Sequence, residues 1–169
     1  MADISKKVSD SRTEQVHILM YEHINSEGRL FGGRLMEWID VVAGVVARRH
    51  AGMNITTATI DRLEFLAPAY LGDTIVLDGR ITYVGTTSME VRVDTYVEKL
   101  TGEKERINRA YLVMVGLGKD DRPAPVPRLA LETDDERAEW DAAVCRKRNR
   151  SAQDNCERTP GALPQTPQR

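Results

Sequence analysis

Four residues in the stretch 23–50 have the types and spacing to do chemistry: Asn25, Gly32, Gly33 and Asp40. A polar turn, Asn25-Ser26-Glu27-Gly28, leads to the Gly32-Gly33 pair, and an apolar helical pattern follows at once. At the start of such a helix the glycine amides lack intrahelical partners and lie at the positive end of the dipole. Without a Cβ they admit a ligand to hydrogen-bond distance. They can hold an anion, or a carbonyl oxygen that becomes anionic under attack. Asn25 offers both a donor and an acceptor, and Asp40 offers a base or a nucleophile. Together these are the parts of an acyl-transfer site.

The elements that position them follow from the apolar pattern. Leu35, Ile39, Val42 and Val46 recur at helical spacing, with Met36, Asp40, Ala43 and Ala47 as an adjoining stripe. The helix spans about Gly32 to Ala51, with Gly52 as its stop. Apolar over most of its girth, it is expected to be largely buried, and Asp40 with it. Asp40 lies seven residues beyond Gly33, about 10 Å along the axis at 1.5 Å per residue. A carbonyl held at the helix tip is therefore out of reach of the carboxylate on the same helix. The spacing predicts a site shared across a dimer interface, with Asn25 and the glycines from one chain and Asp40 from the other.

Plainer readings stand beside this one. The glycines can serve tight helix–sheet packing, and Asp40 can pair with an arginine such as Arg49 inside an interface. Asn25 can be an ordinary turn residue. His23 and His50 read as structural, since neither is framed by a cysteine or serine nucleophile.

Around the helix the chain reads as strands. Residues 14–22 alternate loosely and form a first strand. Four further strands follow without another helix between them, at 54–66, 75–83, 88–98 and 106–117. In 88–98, Met89, Val91, Val93 and Val97 face one way, while Glu90, Arg92 and Asp94 face the other. That order predicts an α+β domain, one sheet with one long helix packed on it. Self-association is expected to cover the sheet's other face. Residues 1–12 are expected to be disordered, 129–149 to hold a charged surface helix, and 150–169 to form a disordered tail. Thr133 and Glu136 are spaced as the capping box of that helix.

Composition excludes several classes. A formal net charge of −2 on 169 residues gives no reason to expect nucleic acid or an anionic membrane as partner. No apolar run approaches the ~20 residues of a membrane span. The first residues lack the apolar core of a signal peptide. Cys145 and Cys156 frame neither a disulfide set nor a metal site. A cytoplasmic protein is expected.

The stretch Asn25-x-x-Gly28-x-x-Phe31-Gly32-Gly33-x-Leu35-Met36-x-Trp38-Ile39-Asp40 resembles the hotdog-fold acyl-CoA thioesterases of the bacterial and brain acyl-CoA hydrolase type. The likeness continues through Arg48-Arg49-His50, Thr57-Ala58, Phe65-Leu66-x-Pro68, Gly72-Asp73 and Gly85-Thr86-Thr87-Ser88-Met89-Glu90-Val91. It covers roughly residues 14–128, and the thioesterase domain it implies spans 13–128. The resemblance implies a hotdog fold, a long central helix wrapped by an antiparallel sheet of about five strands. It implies dimers, commonly assembled as trimers of dimers. The implied reaction hydrolyses acyl-CoA to a free fatty acid and CoA, with no metal and no cofactor, because CoA is part of the substrate. The family's catalytic aspartate and asparagine fall on Asp40 and Asn25, and its oxyanion glycines on Gly32 and Gly33. Gly85, Thr86, Thr87 and Ser88 would line the CoA groove. Some related enzymes carry a hydroxyl one helical turn beyond the carboxylate, where this chain has Gly44. An acyl-CoA sensor that binds without hydrolysing is the alternative.

Overall fold

Every third or fourth residue from Leu35 to Ala47 is apolar, and that face is fully covered: Leu35, Ile39, Val42, Ala43, Val46 and Ala47 are all buried. The structure is a computed structural model in which residues 5–158 are described. In chain order its elements are β1 (Ser5–Lys7), α1 (Val8–Ser11), β2 (Thr13–Ile18), α2 (Gly32–Ala51), β3 (Asn54–Phe65), β4 (Thr74–Val84), β5 (Ser88–Glu98), β6 (Lys104–Leu117), β7 (Arg128–Ala130) and α3 (Asp134–Arg158). A single 3-10 turn lies at Tyr21–His23. α2 ends where Gly52 takes φ 67° and donates its N–H to Arg48 O at 2.8 Å, a left-handed cap that suits glycine.

Five strands form one antiparallel sheet in the order β2-β4-β5-β6-β3, the wrapped-helix architecture of a hotdog fold. Its concave face buries Ile75, Leu77, Met89, Val91, Leu112 and Met114 against α2. Burial on this scale is worth about 1.5–3 kcal/mol per large side chain. β4 comes close to the helix because residue 79 is glycine. A Cβ there would stand 2.6 Å from Val42 Cγ1 and 3.0 Å from Val46 Cγ2. β2 and β3 are the two edges of the sheet.

Three expectations are corrected. Residues 5–11 are ordered: β1 pairs in parallel with β7, and Lys7 forms an ion pair with Glu132 at 2.7 Å. The C-terminal helix is longer than expected, continuing through residues 150–158; residues 159–169 lie outside the described residues, as do 1–4. That helix also covers the convex face of the sheet within the same chain. Glu90, Arg92 and Asp94 project from β5 toward it and are buried. Arg146 reaches Glu90 at 2.8 Å and Glu139 at 2.9 Å, and Arg150 reaches Asp61 at 2.6 Å. Arg92 in turn bonds Glu139. Thr133 and Glu136 cap the helix reciprocally, as their spacing requires.

Candidate active site

The loop that carries Asn25 is tied down at both ends. Phe31 N–H donates to His23 O at 2.9 Å, and Leu30 N–H to Ala69 O at 2.8 Å. His23 is structural: its Nδ1 accepts the Met20 N–H at 3.0 Å, and its ring meets Trp38 edge-on at 5.1 Å. His17 stacks on Trp38 at 3.9 Å, where burial, and then the neighbouring His23, push its pKa below the ordinary value. His50 is buried with Nε2 bonded to Pro127 O, and burial lowers its pKa as well.

Asn25 does serve the turn. Its Oδ1 accepts the N–H groups of Glu27 at 2.9 Å and Arg29 at 3.1 Å. Both lone pairs of that oxygen are occupied, so the side chain has only its Nδ2 donor to give. Beside it opens a cleft of about 320 Å³ whose walls include Leu35, Phe65, Leu66, Pro68 and Ile107.

α2 begins without a side-chain cap and without an acid in its first turn. The first amides that bond back are those of Arg34 and Leu35, both to Phe31 O. The Gly32 and Gly33 amides are left at the positive end of an uncompensated dipole. Neither glycine is pressed against the sheet. A Cβ on Gly33 would instead strike the Phe31 ring at 2.6 Å, and one on Gly32 would make ordinary contact with Phe65 at 3.5 Å.

Asp40 was expected to be buried, and within one protomer it is exposed. Periodicity assigns a residue to a stripe, but it does not say whether that stripe meets the protomer's own sheet. Asp40 shares its side of α2 with Met36 and Gly44, turned away from the core. Among the described residues no arginine pairs with it. Its partner is Thr57, whose Oγ1 donates to Asp40 Oδ1 at 2.7 Å. Sequence reasoning gave Thr57 no role, since nothing local marks which threonine of β3 faces the helix. Asn25 and Asp40 share no hydrogen bond within the protomer. The Gly85–Ser88 turn joins β4 to β5 and is closed by Gly85 N–H to Ser88 O at 2.7 Å. The Thr86 and Thr87 carbonyls accept from Val126 at 3.0 Å and Gly116 at 2.9 Å, which moors the turn to the end of β6 and to the segment after it.

A five-stranded antiparallel sheet wrapped on a helix with a free, uncapped N-terminus defines a hotdog-fold protein. The thioesterase superfamily model matches residues 27–103. YkhA of Bacillus subtilis, an uncharacterised acyl-CoA thioester hydrolase, is 40% identical over 127 residues, covering 75% of this chain and 74% of its own. The cytosolic acyl coenzyme A thioester hydrolase of Rattus norvegicus is 32% identical over 137 residues. That match covers 79% of this chain and 36% of the rat protein, so the chain spans about a third of that relative. The acyl-CoA hydrolase of Staphylococcus aureus, solved with butyryl coenzyme A, coenzyme A and coenzyme A disulfide, superposes with TM-score 0.86 at 30% identity, covering 90% of this chain and 94% of that one. Variants of it with an asparagine, an aspartate or a threonine replaced by alanine have also been solved. An apo hexameric acyl-CoA thioesterase superposes with TM-score 0.85 at 35% identity, covering 89% and 97%. The chain belongs to the thioesterase superfamily.

Proposed function

We propose that the protein hydrolyses the thioester of fatty acyl-CoA, releasing a free fatty acid and CoA at a site built by two protomers. The observation that carries this reading is the division of the parts along α2. Asp40 and its partner Thr57 sit at mid-helix, while the free Asn25 donor and the uncapped glycine amides sit at the tip. A second copy packed antiparallel brings the tip of one helix to the Asp40 of the other. The surface suits such a partner: Met36 and Val41 of α2 and Ile60 and Phe65 of the edge strand β3 are exposed apolar residues. The hexameric neighbour supports assembly of such dimers in threes.

In this reading the Gly32 and Gly33 amides hold the thioester oxygen as it becomes anionic. Asn25 assists through Nδ2, orienting the carbonyl rather than a water, because its oxygen is committed to the turn. Asp40 either takes a proton from water or attacks the carbonyl carbon to form an anhydride that water then opens. In both routes the C–S bond breaks and CoA leaves as the thiol. Thr57 holds the carboxylate in place. The three alanine variants of the Staphylococcus aureus hydrolase support the trio, because the altered residues have the same sequence separations as Asn25, Asp40 and Thr57. The acyl tail follows the apolar cleft beside Leu35 and Phe65. The Gly85, Thr86, Thr87 and Ser88 turn borders the CoA groove. No metal or separate cofactor takes part, and the cytoplasm is the expected location; no described helix is long and apolar enough to cross a membrane.

Thiol release from acyl-CoAs of graded chain length, comparing wild type with Asp40→Asn, tests the reading. Turnover that collapses in the variant while the oligomer survives supports it. Acyl-CoA binding without turnover by wild type favours the sensor instead.

A further inference from the structure

Leu77, Thr95, Asn108 and Phe65 form one cross-strand row, since Leu77 pairs with Thr95, Thr95 with Asn108 and Asn108 with Phe65. Directly paired residues point to the same face of a sheet, and the buried Leu77 fixes that face as the one packed against α2. The row ends at Phe65, which with Leu66 and Ile107 walls the cleft of about 320 Å³ beside Asn25. Asn108 therefore stands one strand in from the cleft wall and Thr95 two, at about 4.8 Å per strand. Both are fully buried. Asn108 Nδ2 donates to Glu64 O at 2.6 Å, which orients the amide and leaves Oδ1 as an acceptor. Among the described residues neither Asn108 Oδ1 nor Thr95 Oγ1 has a hydrogen-bond partner. The next pair along the same two strands, Val93 and Ala110, is apolar core. A polar pair thus interrupts the core where the cleft meets it.

Resting on the thioesterase reading, we propose that Thr95 and Asn108 set the length limit of the acyl group, so that the substrates are acyl-CoAs whose tails end at Phe65 and Ile107. A tail that enters beside Leu35 and grows past Phe65 runs inward along the row. An aliphatic floor would welcome it, since each further methylene would add apolar burial. Here the next surface carries an acceptor and a hydroxyl that need polar partners, and a methylene chain offers none. A water bridging Asn108 Oδ1 and Thr95 Oγ1 meets that need. A longer tail must displace the water without replacing its bonds, and so gains nothing from its extra carbons.

The experiment measures kcat/KM for saturated acyl-CoAs of graded length in wild type, Thr95→Val, Thr95→Ser and Thr95→Val/Asn108→Leu. Thr95→Val keeps the size and removes the hydroxyl, so a limit set by size alone stays in place, whereas one set by polarity moves. In Thr95→Val we expect kcat/KM for the first tail beyond the wild-type limit, relative to a tail within it, to rise about tenfold, the scale of one methylene in an apolar pocket. The double variant should extend the limit further, and Thr95→Ser should keep the wild-type profile. Asn108→Leu also gives up the bond to Glu64 O, so the single variant carries the test if the double fails to fold. A Thr95→Val profile that matches wild type overturns the proposal, as does a wild type that turns over all lengths alike. If wild type turns over no acyl-CoA, the hydrolase reading fails separately. Calorimetric Kd values for the same series then decide: a longer tail tolerated only in Thr95→Val sustains the pair, and an equal length dependence overturns it.

Discussion

Thr57 Oγ1 stands 2.7 Å from Asp40 Oδ1, so the edge strand β3 fixes the rotamer of the one carboxylate at the middle of α2. The bond uses one oxygen and leaves the other to face outward. A carboxylate that must meet a substrate held by another chain gains from such restraint, since its side-chain entropy is lost before binding rather than during it.

Replacing that donor should therefore lower turnover more than affinity. Thr57→Val keeps the shape and removes the hydroxyl, and kcat should fall about tenfold or more with KM little changed. Thr57→Ser, which keeps the donor, should stay near wild type. Steady-state kinetics on one acyl-CoA checks both.

Asn25 has two jobs that substitution can separate. Asn25→Asp retains an oxygen for the Glu27 and Arg29 amides but loses the Nδ2 donor. The turn should survive, with Tm close to wild type, while kcat falls by about 10²-fold or more, the usual cost of an oxyanion donor. Asn25→Ala should lose the activity and part of the stability together.

Acid should release α3 from the sheet. Burial alone would raise the pKa of Asp94, yet the hydrogen bonds and charges of Arg109 and Arg92 outweigh it and hold Asp94 below the ordinary carboxylate value. Glu139 is likewise held low, burial being outweighed by the charge of Arg92 and the hydrogen bonds from Tyr111, Arg92 and Arg146. Both therefore bind protons more weakly folded than unfolded. The stability they lend is complete above the unfolded value near pH ~4 and is lost as pH falls through the folded values. Trp140, packed 4.5 Å from Tyr83, reports the undocking through its fluorescence. Asp94→Asn, which leaves Arg92 and Arg109 facing no charge there, should cost about 3 kcal/mol at neutral pH.

The parts of this fold that sequence discloses are those with local periodicity. Residues 88–98 alternate so regularly that β5 spans those residues, and the apolar recurrence after Gly32 delimits α2 to Ala51. What local pattern does not carry is a partner far along the chain. β1 is three residues long and exists because Ser5, Lys6 and Lys7 find Arg128, Leu129 and Ala130. α3 has no strong apolar stripe to announce its docking; it is held by Arg146 reaching the buried Glu90 on β5 and Arg150 reaching the half-buried Asp61 on β3. The candidate site divides the same way. Asn25, the glycines and Asp40 are read from one stretch, whereas Thr57 becomes visible only when β3 lies beside α2. Asp40 is exposed because its stripe straddles the rim of the covered face: Ala43 and Ala47 are buried in the protomer's own core, whereas Met36 and Asp40 lie outside it.

The shared site is tested most directly by mixing two inactive chains, Asn25→Ala and Asp40→Ala, after dissociation and reassembly. If pairs form at random, half are mixed, and each mixed pair holds one site with both residues intact, so about a quarter of wild-type activity should return. No recovery from a mixture that demonstrably exchanges protomers would contradict the account and place Asn25 and Asp40 in the same chain's site.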